Sequence, residues 1–300
     1  MEHYKLLIIG GGAAGMAAAI AAKEAGCGSV LLVERDERLG GVLPQCLHHG
    51  FGLARFHEDL RGAEYAERFL SPLAECGALI ETGCAVLDIA ADRTVLLSSA
   101  KGLRRVSFDH CILAAGCREK PAGALGLAGT RPAGVFTAGT AQRLMNSGGC
   151  SIGEHIVILG SGDIGQIMAR QLIESGRRIV LMAEIRDTLG GLARNRRDCI
   201  EAYSVPVRLR STVTELHGFP RLTAVTLRNL ADGTDELIPC DTLITALGLI
   251  PERELIAPLL QSGSLPAWLH LTGNCEKVHD IVDSVTAEAE ALGRALGGET

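Results

Sequence analysis

A glycine-rich turn between an apolar run and a helical run occurs twice in this chain, and no other feature constrains the fold as much. The first copy follows the apolar run Lys5 to Ile9 and carries Gly10, Gly12 and Gly15 in a GxGxxG spacing. A helical composition from Ala13 to Ala25 and a second apolar run, Ser29 to Val33, come next. Strand, turn, helix and strand in that order open a βαβ unit. The glycines permit the tight turn, let the backbone approach a pyrophosphate and allow close helix packing, while the helix N-terminus supplies oriented N–H groups. Glu34 ends the second run, 24 residues after Gly10, where a carboxylate can accept hydrogen bonds from ribose hydroxyls.

The second copy follows His155 to Leu159 and carries Gly160, Gly162 and Gly165, with a helix predicted over Ile164 to Glu174 and a strand over Arg178 to Ala183. Glu184 lies 24 residues after Gly160, so both copies share one register. Either alone could be a glycine-rich turn beside a surface glutamate; together they predict two dinucleotide sites, or two halves of one mechanism. A carboxylate at Glu184 would repel a ribose 2′-phosphate, which points to NADH with NADPH as the alternative, and Arg186 is the opposing feature.

The chain has 300 residues, enough for two domains, since single cores stop growing at about 250 to 300 residues. Its residues are 47% hydrophobic but only 3% aromatic, with 37 glycines, a composition that suits a parallel α/β sheet with glycine-rich turns. A net charge of -6 with both signs interspersed leaves no electrostatic footprint for nucleic acid or an anionic membrane. The opening MEHYKLLIIGGG reads as a strand rather than a signal. No run approaches the roughly 18 uninterrupted apolar residues of a transmembrane segment, and a cytoplasmic protein is expected. The ten cysteines then read as reduced thiols. No CxxC occurs, so neither structural zinc nor a thioredoxin-type redox pair has sequence support, and no metal is expected.

Between the two copies, a helix is predicted over Glu58 to Cys76, entered near His57 and stopped by Gly77. Short strands follow at Ala78 to Ile89, Thr94 to Ser99 and Arg104 to Phe108. After a loop rich in Gly and Pro comes a short helix, Ala138 to Met145. Pro206 to Leu216, Ala224 to Asn229 and Asp235 to Ile238 read as a β meander. A last strand, His270 to Thr272, precedes a closing helix from about Ile281 to Leu296.

These motifs resemble the two-dinucleotide-binding-domain flavoproteins, the pyridine nucleotide-disulfide oxidoreductase superfamily that includes thioredoxin reductase. Asp109 to Gly116 (DHCILAAG) is similar to the strand and turn closing the first FAD segment, Asp241 to Pro251 (DTLITALGLIP) to the exit from the nicotinamide domain, and Leu271 to Asn274 (LTGN) to the late flavin motif, with Asn274 in place of the usual Asp. A closer resemblance lies in Gly40 to Leu53 (GGVLPQCLHHGFGL), GCREKP, RPAGVFTAGTAQ, GSGDIG and VHDIVD. These are similar to the small FAD oxidoreductases associated with glycerol-3-phosphate dehydrogenase, opine oxidase and hydrogen cyanide synthase. Relative to that group, the segment Pro251 to Leu269 is shortened.

The resemblance implies an α/β fold of two Rossmann-like (three-layer ββα) domains. The FAD domain would comprise residues 1–117 and 249–300, with an NAD(P) domain, 118–248, inserted in it. It implies FAD contacts at Gly10, Gly12, Ala14, Gly15, Glu34, Arg35, Gly41, Val86, Ala115, Gly116, Gly273 and Asn274. Nicotinamide dinucleotide contacts are implied at Gly160, Gly162, Asp163, Ile164, Gly165, Glu184 and Gly248. Cys46 falls where disulfide reductases of the group carry a cysteine pair, but it stands alone, so it is either a redox thiol or a structural one. His279 and Asp280, just before the last helix, are flavin-side candidates; an ordinary helix cap at Asp280 or Asp283 is the alternative. The expected activity is FAD-dependent oxidation of NAD(P)H, or reduction of its oxidised form, with electrons passed to or from a partner subunit of a dehydrogenase complex. A self-contained reductase of a disulfide or small acceptor, and a nucleotide-binding scaffold without turnover, are the alternatives. A homo-oligomer stays open.

Overall fold

Val30–Val33 pairs in parallel with the first strand, Glu2–Ile9, and the first strand pairs in parallel with Gly102–Leu113. That places the first glycine-rich turn at the carboxyl edge of a parallel sheet. The computed structural model describes residues 1–299. Its chain divides into two compact units, residues 1–118 with 250–300, and residues 119–249; residue 300, the end of the expected last segment, lies outside the described residues. Each unit is a mixed α/β layer structure, as expected for a Rossmann-like fold.

In the first unit the sheet has seven strands. Leu79–Glu81, Val30–Val33, Glu2–Ile9, Gly102–Leu113 and Leu269–Leu271 run parallel, and Thr94–Ser99 and Ala85–Ile89 continue from Gly102–Leu113 as an antiparallel meander. Gly102–Leu113 is one strand of 12 residues and not the two separate pieces expected at Arg104 to Phe108 and Asp109 onward. Its first half pairs with the meander and its second half with Leu269–Leu271, so one strand serves two layers. Three helices, Ala13–Glu24, Gly62–Glu75 and Val282–Glu299, cover one face of the sheet, with Leu6, Ile8 and Leu32 of the sheet packed against Tyr65 and Phe69 of the second helix in one core. The meander covers the other face over Leu7, Leu31, Phe108 and Leu113.

The second unit repeats the plan. Val135–Thr137, Thr242–Thr245, His155–Leu159, Arg178–Ala183 and Val207–Arg208 form a parallel five-stranded sheet in that order. Helices Ala138–Asn146 and Asp163–Glu174 pack over Ile156, Ile158 and Ile244. A four-stranded sheet carrying Ser211–His217, Ala224–Asn229 and Asp235–Pro239 packs over Val157, Leu159 and Leu243. Among the described residues no helix is long and apolar enough to cross a membrane.

Three expected elements are corrected, each by backbone geometry. The helix expected over Glu58 to Cys76 begins at Gly62, and His57, with φ 55, lies in a loop before it. Leu60–Arg61 instead pairs with His49–Phe51, and the Glu64 carboxylate accepts the Arg61 N–H at 2.7 Å, closing the new N-terminus. The run Ala78 to Ile89 breaks at Gly83, with φ 59, and the run Pro206 to Leu216 breaks at Arg210, with φ 49. In each case the chain leaves the parallel sheet at that turn and joins the covering layer.

Close approach of the first and last helices depends on small residues. A Cβ built on Gly293 would sit 2.4 Å from the Ala18 carbonyl oxygen, and one on Gly297 would sit 2.5 Å from that of Ala22, whereas one on Gly298 meets nothing within 4 Å. Intrinsic helix propensity favours Ala over Gly by about 1 kcal/mol, but overpacking costs about 1–3 kcal/mol. Gly293→Ala is therefore expected to lower the thermal midpoint while Gly298→Ala does not. Equal shifts for the two variants, measured by calorimetry, would contradict this packing account.

Candidate functional site

Each glycine-rich turn is built around a buried carboxylate. Glu34 is 7% exposed and Glu184 is 4% exposed. Glu34 accepts the Gly11 N–H at 2.6 Å and the Asp36 N–H at 2.8 Å, so it joins the turn to the end of its own strand. Glu184 accepts the Ser161 N–H at 3.0 Å and the Arg186 N–H at 3.1 Å in the same places. The backbone around them is also duplicated. Gly10 and Gly160 donate to Val33 and Ala183, Glu34 and Glu184 donate to Glu81 and Arg208, and Cys84 and Ser211 donate to Glu34 and Glu184.

The glycines divide by cause. Gly10 and Gly160 have φ of 107 and 101, and a Cβ on them would lie 2.5 Å from the Ala114 oxygen and 2.2 Å from the Ala246 oxygen. On Gly15 and Gly165 a Cβ would strike the carbonyl oxygens of Gly10 and Gly160 at 1.8 and 2.6 Å, so these two let each helix sit against its turn. Gly12 and Gly162 have ordinary φ values of -76 and -66. A Cβ on Gly12 has no neighbour nearer than the Gly41 Cα at 3.9 Å, and one on Gly162 meets nothing within 4 Å. The protein itself therefore makes no demand for glycine at these two helix N-termini.

The other expected contacts in the first unit group around this turn in part. Ala14 is buried in the first helix turn, and a Cβ on Gly273, with φ 66, would lie 2.9 Å from the Ala14 Cβ. A Cβ on Gly41 would lie 3.2 Å from the Gly12 Cα. Asn274 follows Gly273, and its Oδ1 accepts the His279 N–H at 3.0 Å. Arg253 holds the same turn by donating from Nε to the Cys275 carbonyl at 2.6 Å. Ala115 packs on the core beside Gly116, which has φ 73, and Val86 lies opposite Leu97 in the meander. Arg35 is exposed.

The His279 Nε2 lies 2.9 Å from a Glu288 carboxylate oxygen, and Asp280 is exposed. Asp283 makes the buried contacts here. Its carboxylate accepts from Gly52, Ala54 and Arg55 N–H groups at 3.2, 2.8 and 3.4 Å, tying the last helix to the loop at residues 52–55. Cys46 is buried, and its Sγ–H donates to the Val42 carbonyl at 3.5 Å. Burial pushes its thiol up to about 12. Among the described residues no disulfide forms, and no group of three or more His, Cys, Asp and Glu side chains is placed to hold a metal ion.

In the second unit a cavity of about 680 Å³ opens at the turn, lined among others by Gly160, Ser161, Gly162, Glu184, Arg186 and Gly248. Asp163 Oδ1 accepts from Leu192 N–H at 2.8 Å and Asn195 Nδ2 at 2.6 Å, and Ile164 packs on the core. Burial alone would raise the Glu184 carboxyl, but hydrogen bonds from Arg186 and Ser161 outweigh it and hold the group down to about 2. Ser161, Gly190 and Thr212 to Thr214 were absent from the expected contacts. Superposing ERDERLGG (34–41) on EIRDTLGG (184–191) carries the expected contact Gly41 onto Gly191, and so points to the Gly190–Gly191 pair.

The family model for pyridine nucleotide-disulphide oxidoreductases matches residues 4–267. The chain belongs to that family. The family consists of oxidoreductases that use FAD and NAD(P)H. The chain is 28% identical to the hydrogen cyanide synthase subunit HcnB of Pseudomonas protegens over 278 residues, 83% of this chain and 57% of that protein. It is 29% identical to an opine oxidase subunit of Agrobacterium tumefaciens over 182 residues, 58% of this chain and 35% of that protein. It thus spans about half or less of these relatives' lengths. The crystal structure of thioredoxin reductase from T. acidophilum has the same fold, with a TM-score of 0.79 at 18% identity over 100% of this chain and 99% of that one.

Because Cys46 is buried and its thiol is held protonated, it is expected to resist alkylation at pH 8, while the exposed Cys150 reacts first. Timed iodoacetamide labelling with peptide mapping checks this. Labelling of Cys46 as fast as Cys150 in the folded protein would show an accessible, activated thiol.

Proposed function

We propose that this chain is an NAD(P)H-linked flavoprotein that holds FAD on the unit of residues 1–118 and 250–300 and a nicotinamide dinucleotide on residues 119–249. The observation that carries the reading is the pair Gly12 and Gly162. Neither backbone angle nor packing requires glycine there, which leaves the close approach of something outside the protein, and a helix N-terminus favours an anion. A diphosphate fits both places. Glu34 stands beside the first turn, where a ribose diol can reach it, and Gly273 and Asn274 stand beside Ala14 at the same helix end.

Bound together, the two groups would supply exchange of reducing equivalents between nicotinamide and flavin. The chain's own part is to bind, orient and exclude water. Glu34 and Glu184 set the turns, Gly12 and Gly162 leave room, and Asp283 fixes the loop at 52–55 against the last helix. Delivery to a separate partner protein is favoured over reduction of a disulfide within the chain. Two relatives are named as subunits, and Cys46 is a neutral buried thiol with no second cysteine in its segment.

The purified chain is expected to be yellow, to bleach with anaerobic NAD(P)H, and to accept two electrons per chain, the capacity of a lone flavin. A four-electron end point that falls to two in Cys46→Ser would replace the partner-protein reading with a disulfide reductase. A chain that neither carries nor takes up FAD would sink the flavin assignment itself.

A further inference from the structure

The two turns differ at two positions that touch the carboxylate. Gly11 in the first is matched by Ser161 in the second, and Asp36 by Arg186, while Leu39, Gly40 and Gly41 are matched by Leu189, Gly190 and Gly191. The effect falls on hydrogen-bonding capacity, since a carboxylate offers about four lone-pair positions. Among the described residues, two backbone N–H groups reach Glu34, so two positions stay available for a ribose diol. Four donors reach Glu184: the N–H groups of Ser161 and Arg186, the Ser161 hydroxyl, and the Arg186 Nε at 3.1 Å. The two added donors are the side chains at the two changed positions. Glu184 is therefore saturated, and its charge is matched by a guanidinium.

That guanidinium is held rather than loose. Its Nε is fixed on Glu184, and a Cβ on Gly190 would lie 2.2 Å from one of its terminal nitrogens, so glycine at 190 makes the place in which it lies. Gly40, the counterpart, faces Pro44 and Ala66 instead. Arg186 lines the 680 Å³ cavity with its side chain 58% exposed. The neighbouring charges are Arg208, whose carbonyl accepts the Glu184 N–H, Arg210, whose N–H donates to the Arg186 carbonyl, and Asp187, 3.9 Å from Arg210. Asp163 is the third carboxylate at this turn, and its Oδ1 is occupied by the Leu192 N–H and the Asn195 Nδ2.

We propose that Arg186 makes the second site selective for a phosphorylated ribose, so that the chain takes NADPH in preference to NADH. The proposal rests on the reading that residues 119–249 bind a nicotinamide dinucleotide. The like-charge argument drawn from the sequence supposes an open carboxylate at Glu184. With that carboxylate covered, the outward group is a guanidinium fork, the geometry that grips phosphate bidentately. Arg186 is the specificity residue, and Glu184, held by Ser161, positions it.

Calorimetry with oxidised NADP and NAD on the full chain tests this without depending on turnover. The expected result is NADP bound about 10- to 100-fold more tightly, as for a charge-assisted pair gained, with the ratio falling as salt rises. Arg186→Gln is expected to bring the ratio to about one, and Arg186→Lys to keep part of it. Combining Ser161→Gly with Arg186→Asp, the pattern of the first turn, is expected to favour NAD. Tighter NAD binding by the unaltered chain, or a ratio insensitive to Arg186→Gln, overturns the proposal while leaving the nucleotide site standing. Failure to bind either nucleotide removes the site as well.

Discussion

A buried carboxylate bonded to the backbone of a glycine-rich turn is the interaction on which each half of this protein depends. The turn brings several N–H groups to one point at a helix start, an arrangement that costs conformational freedom and leaves donors without intrahelical partners. Glu34 and Glu184 answer part of that demand. Each accepts one N–H from the turn and one from the chain just beyond its own strand, so strand end and turn cannot separate. Gly15 and Gly165 can then seat their helices on the turns, and the sheet positions follow.

The scarcity of aromatic residues has its physical explanation in the same place. Ala13–Glu24 buries eight of its residues, nearly all alanine or glycine, and so it is a covered helix rather than a surface one. Its thin side chains let the last helix approach until Gly293 and Gly297 meet the carbonyls of Ala18 and Ala22. On this face the large side chains stand to one side, where Phe51, Phe56, Tyr65 and Phe69 pack ring against ring beneath the loop that Asp283 restrains.

Elements whose cause is local are legible in the amino-acid sequence. The strands at Thr94–Ser99, His155–Leu159 and Arg178–Ala183 match their apolar runs residue for residue, because apolar runs bounded by turn residues carry their own signal. The failures have non-local causes. Nothing local joins Arg104 to Leu113 into one strand; its two halves are ordered by different partners, the meander and Leu269–Leu271. His57 sits in a helix-compatible stretch but lies at φ 55 in the loop joining the paired strands His49–Phe51 and Leu60–Arg61. At the sites, the glycines and both glutamates are found by spacing. That Glu184 is filled by Ser161 and Arg186, while Glu34 is not filled by Gly11 and Asp36, depends on where the side chains reach in space, which spacing does not encode.

The discontinuity of the first unit sets an order of assembly during synthesis. Residues 119–249 are continuous and can close their core as soon as they leave the ribosome, consistent with domains folding as units. Ala17, Ala18 and Ala22 are made before the second unit, but the residues that cover them, Val285, Ala289 and Leu296, are made after it. Until then a greasy helix and the edge of Gly102–Leu113 that receives Leu269–Leu271 stand uncovered. The leading segment of the first unit, residues 1–118, thus needs shelter from aggregation while the second unit is being made.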